Sequence, residues 1–159
     1  MKVYLKAVTY LLVLAGTLIL SVGYAHALVD ATEPYEILNI AKGYGSATLT
    51  TDSQGDPKIK GRIDGTQYGV YFYGCNDDNE DCDDIQFSTA WAGIPVSLTQ
   101  INRWNAKKRF GKAYLDSDGD PALQMTVNID YGVSTRNLED SFNWWTKVLA
   151  GFKEEVLDK

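Results

Sequence analysis

From Leu123 to Tyr131 apolar and polar side chains alternate without a break: Leu123, Met125, Val127, Ile129 and Tyr131 against Gln124, Thr126, Asn128 and Asp130. A period of two sends successive side chains to opposite faces, so this run reads as a strand with one face in a core and the other in water. That pattern excludes an all-helical bundle and calls for a sheet with at least one covered face.

Other segments fit the same frame. Ala47 and Leu49 alternate with Thr48 and Thr50, a Ser-Gln-Gly-Asp-Pro turn follows at 53–57, and Ile59 and Ile63 then alternate with Lys58, Lys60 and Arg62. This is a hairpin with one wet face. Between Gln67 and Cys75, Tyr68, Val70 and Phe72 point one way and Tyr71 and Tyr73 the other, so this strand carries bulk on both faces and fits a central position. Ile85, Phe87 and Trp91 alternate with Gln86, Ser88 and Ala90, and Lys112 to Asp116 reads as a short strand.

Three helices are expected. Thr32-Glu33-Pro34 is a start signal, with Ile37, Leu38, Ala41 and Tyr44 on one face and Gly43 and Gly45 at the end. Ser97 is an N-cap for a helix through Arg109 with Leu98, Ile101 and Trp104 on its apolar edge. The last begins near Ser134 and lines up Leu138, Phe142, Trp145, Leu149, Phe152 and Val156. The order helix, four strands, helix, two strands, helix predicts an α+β domain, an antiparallel sheet with three flanking helices.

Residues 1–27 read as a targeting segment. Lys2 and Lys6 give a positive start, Ala7 to Val22 is mostly apolar, and Ala25-His26-Ala27 supplies the small residues of a cleavage site. The expectation is a general secretory signal peptide cut after Ala27, leaving one domain over 28–159 in the periplasm or outside the cell, with no stable membrane anchor. An uncleaved anchor is the competing reading, but the apolar run is shorter than a comfortable bilayer span.

Removing that segment takes away two Lys and no acid, so the net charge goes from −6 to −8. That balance argues against nucleic acid and anionic membranes as partners, since both need a basic face. His26, the only histidine, leaves with the same segment. Histidine-dependent triads and the usual zinc sites leave with it, and neither a cofactor nor a metal is expected. Cys75 and Cys82 enclose an acidic stretch. In an oxidising compartment they are expected to form a structural disulfide, because the spacing is not C-x-x-C and the loop holds no Lys, Arg or His to activate a thiol.

The stretch from Ile85 to Ser134, above all INRWNAKKRFGKAYLD at 101–116, resembles the YbjN family of bacterial sensory-transduction regulators. The resemblance extends over most of residues 28–159. It implies a fold similar to type III secretion chaperones, a compact α+β domain used for binding, often as a dimer, with no catalytic motif to carry over.

Sharper site readings have plainer rivals. Asn102 and Asn105 are candidate ligand contacts, though amides on a packed helix more often tie down a neighbouring segment. Asp116-Ser117-Asp118-Gly119-Asp120 opens like a calcium loop, but Pro121 and Val127 stand where an EF-hand needs Gly and Glu, so a hairpin turn is expected. The six carboxylates between Asp77 and Asp84 could hold Ca²⁺ weakly, and a solvated loop is the alternative. Nothing marks out two of the 21 acids as a glycosidase pair. Tyr71, Tyr73 and Tyr114 form an interaction surface if helices cover one sheet face only, and core if helices cover both. The functional expectation is therefore a non-enzymatic module that binds a protein partner or a second copy of itself. A calcium-stabilised structural protein and, remotely, a carboxylate hydrolase are the alternatives.

Overall fold

The computed structural model of the chain describes residues 28–158. In chain order the elements are β1 (Leu28–Val29), α1 (Pro34–Lys42), β2 (Ser46–Thr51), β3 (Pro57–Ile63), β4 (Thr66–Tyr73) and β5 (Asp84–Ala90). Then come α2 (Leu98–Lys107), β6 (Lys112–Leu115), β7 (Pro121–Asn128), β8 (Val133–Ser134) and α3 (Thr135–Phe152). A π-helical turn, Lys153–Leu157, continues α3. This is the expected α+β arrangement, with β1 and β8 as additions.

Six strands form one antiparallel sheet in the order β2-β3-β4-β5-β7-β6. The register aligns Ile59, Val70, Phe87 and Met125 across four strands, all of them buried. Against this face α3 presents Phe142 and Trp145, whose rings lie 4.8 and 5.4 Å from that of Phe87. Phe152 of α3 stacks on Trp91 and meets Trp104 of α2 edge-on, while Tyr44 beyond α1 stacks on Phe142. All three helices thus pack on the same side of the sheet. Gly61 makes room there for an aromatic ring, since a Cβ on it would sit 2.4 Å from the Tyr68 ring.

Local signals act as expected at the helix starts. Ser97 and Gln100 form a reciprocal capping box on α2, and the Ser134 hydroxyl accepts from the Asn137 amide at the start of α3. Two boundaries and one added ladder differ from the sequence expectation. Helix α2 stops at Lys107 rather than Arg109, because Lys108 is extended and the chain must turn through Gly111, at φ +81°, to enter β6. Strand β7 stops at Asn128: its side chain accepts from the Asp130 amide, and the chain turns so that Gly132 N–H reaches Ile129 C=O. Tyr131 therefore leaves the core face, at φ 64° and 90 % exposed. Finally, β1 pairs with β8, a two-residue ladder too short to leave any periodicity in the sequence.

Candidate functional site: the open face of the sheet

The side of the sheet opposite the helices is built by the alternate residues of each strand. It carries Lys58, Lys60 and Arg62 from β3; Gly69, Tyr71 and Tyr73 from β4; Asp84, Gln86 and Ser88 from β5; and Gln124 and Thr126 from β7. Lys112 and Tyr114 of β6 complete it. Side chains in these positions are exposed or half-buried, apart from Gly69, where a side chain would collide with its neighbours: a Cβ would lie 2.7 Å from the Tyr71 ring and 3.2 Å from Lys58 Cε. The Tyr71 ring therefore lies down across Gly69. Lys58 closes over it, with Nζ 4.0 Å from the ring centroid and donating to the Tyr71 hydroxyl at 2.6 Å.

The three tyrosines singled out from the sequence share this face. Tyr73 is 43 % exposed, and Tyr114 accepts from Gln124 Nε2 at 3.0 Å. Partial burial pushes the Tyr73 phenol up, with Tyr71, Asp52, Asp84 and Tyr114 adding to the effect. Burial likewise raises Tyr114, reinforced by Asp116 and Tyr71. Asp84, across from Tyr73, is raised by burial and then by neighbouring Asp83. The raised Tyr73 and Tyr114 phenols stay neutral at physiological pH and act as hydrogen-bonding groups on large apolar bodies.

A shallow cavity of about 450 Å³ opens on this face, lined by Lys58, Lys60, Arg62, Gly69, Tyr71 and Ser88, among others. Arg62 donates to the Gly65 carbonyl at 2.7 Å, and among the described residues none of the three cations has a carboxylate within ion-pairing distance. From the sequence alone Lys58, Lys60 and Arg62 read only as a wet strand face. Their period-two spacing was the signal that they form one row.

The remaining candidates lie elsewhere. Asn105 donates to the Ala113 carbonyl and accepts from the Ala113 amide, both at 2.9 Å, and so satisfies the outer edge of β6. Asn102 is exposed on α2, and its side chain makes no hydrogen bond among the described residues. A disulfide joins Cys75 to Cys82, closing the acidic loop between β4 and β5. Inside that loop the Asn76 side chain accepts from the Asp78 and Glu80 amides. Asp116 in the same way accepts from Asp118 and Asp120 amides in a hairpin turn. Among the described residues no three His, Cys, Asp or Glu side chains are grouped to hold a metal ion. None of the described helices is long and apolar enough to cross a membrane.

A family model described as "YbjN: Putative bacterial sensory transduction regulator" matches residues 35–158, from the second residue of α1 past the end of α3. The chain belongs to the YbjN family. That description is of a regulatory module and not of an enzyme family. No curated protein matches the chain at a significant level. For a YbjN domain, the one-sided sheet is the informative feature: helices bury one face, and the other is left to a row of cations and three tyrosines.

Proposed function

We propose that this YbjN protein is an exported, non-enzymatic binding module that acts through protein–protein contact on the open face of its sheet. The observation that carries the reading is the placement of Tyr71 and Tyr73 opposite Val70 and Phe72, on the side where none of the described helices packs. Tyrosine suits such a role, because it covers a large area at low entropy cost and keeps a polar tip for water when unbound. Export rests on the leader-like composition of residues 1–27, with processing after Ala27. The partner is another protein of that compartment or a second copy of the chain.

The test is the double substitution Tyr71→Ser with Tyr73→Ser, read by thermal denaturation and by crosslinking of the exported protein in its own compartment. The expected variant melts within a few degrees of the parent and loses the crosslinked species. One that unfolds would return these rings to a structural role. One that folds and crosslinks as before would remove them from the interface.

A further inference from the structure

The chain holds 21 acids and 15 cations other than histidine, yet the open face reverses that balance. By the strand register it carries Lys58, Lys60, Arg62 and Lys112 against Asp84, with Asp52 near Tyr73 and Asp116 near Tyr114 at its margin. Cations on one side of an acidic protein that have no ion-pair partner among the described residues leave a local positive field that an incoming anion can satisfy. The row on β3 has a definite pitch, because same-face side chains of a strand recur every two residues, about 6.6–6.8 Å apart. An extended polypeptide with acids at alternate positions carries its carboxylates at the same pitch. Beside the row the Tyr71 ring lies over Gly69, and Gln67 and Ser88 bring hydrogen-bonding groups to the lining of the cavity.

We propose that the open face binds an extended acidic polypeptide segment, its alternate carboxylates lying along Lys58, Lys60 and Arg62. This rests on the reading of that face as the interaction surface and names the chemistry of the partner. A single-stranded nucleic acid is the other polyanion of similar pitch, and two features disfavour it. The Tyr71 ring is covered by Lys58 and cannot stack a base, and the more exposed Tyr73 stands across from Asp84, which repels phosphate.

The experiment measures binding of the full chain to three labelled probes by fluorescence anisotropy: the decapeptides (Glu-Thr)₅ and (Gln-Thr)₅, and a ten-nucleotide oligo-dT. The acidic peptide is expected to bind most tightly and to weaken as salt is raised. Lys58→Gln, Lys60→Gln and Arg62→Gln together should weaken it by about 3- to 100-fold, from roughly 1.4- to 5-fold per exposed ion pair. The melting temperature should hold. A control triple, Lys107→Gln, Arg109→Gln and Lys147→Gln, changes the net charge equally and should leave binding in place. Equal affinity for the two peptides, equal loss in both triples, or tighter binding of the oligonucleotide through the β3 cations would overturn the proposal. The tyrosine variant separates the two readings. If it loses association while the acidic peptide fails to bind, the open face remains the interface and its partner is not acidic. If it associates as before while the peptide still needs the cations, the row binds acids and the tyrosines are bystanders.

Discussion

Asn102 and Asn105 sit three residues apart on α2, and only Asn105 reaches a neighbour. Its amide bonds both backbone groups of Ala113 that face away from β7, filling the place that another strand would take at this sheet edge. Asn105→Ala is expected to leave that N–H and C=O without partners and to cost about 1–3 kcal/mol. Asn102→Ala should stay within about 0.5 kcal/mol of the parent. Chemical denaturation of the two variants checks the contrast, and equal midpoints would remove the edge-satisfying role. That an amide on this helix ties down a neighbour was legible in the sequence. Which amide does so was not, because the answer depends on where β6 lies in space. Tyr131 shows the same limit: its parity continued the strand, but Asn128 captures the Asp130 amide and turns the chain first.

The strands and helices were readable because each buries one face, and burial leaves a period of 2 or 3.6 in the sequence. The loop between β4 and β5 leaves no such trace, and its order rests on other bonds. Cys75–Cys82 closes it, the Asn76 side chain gathers two of its amides, and the residues from Asp78 to Cys82 line a cavity shared with Pro34 and the turn at 51–57. In the chain-entropy account, closing so short a loop contributes about 2 kcal/mol. Reduction of the folded protein should lower its denaturation midpoint accordingly, and mass spectrometry before reduction should find no free thiol. Two free thiols in the unreduced protein, or a midpoint indifferent to reductant, would contradict this. The short β1–β8 ladder was missed because two residues cannot display a period.

For the molecule as a whole, net charge does not describe each surface. The overall balance argues against nucleic acid and anionic membranes as partners, while the fold gathers four cations on one side of the sheet, an arrangement that appears only once the register is known. Global stability carries its own pH signature. Burial pushes the Tyr68 phenol up to about 12, against an ordinary value of 10.0. Both states hold the proton below pH 10, so nothing is lost there. Between pH 10 and 12 the unfolded chain ionises Tyr68 while the folded one resists, and stability falls by up to about 2–3 kcal/mol. Denaturation at pH 9 and pH 11 should show the drop, and Tyr68→Phe should make it smaller, with the raised Tyr73 and Tyr114 phenols leaving a remainder; an equal drop in that variant would place its origin elsewhere. A sheet covered on one side also divides the labour of a single strand by parity. Along β4, Tyr68, Val70 and Phe72 answer to the core and Tyr71 and Tyr73 to whatever the face meets, though each is covalently joined to the next. Neighbours in sequence are thereby free to change under separate pressures, so the surface can be retuned to a new partner without reopening the question of how the chain folds.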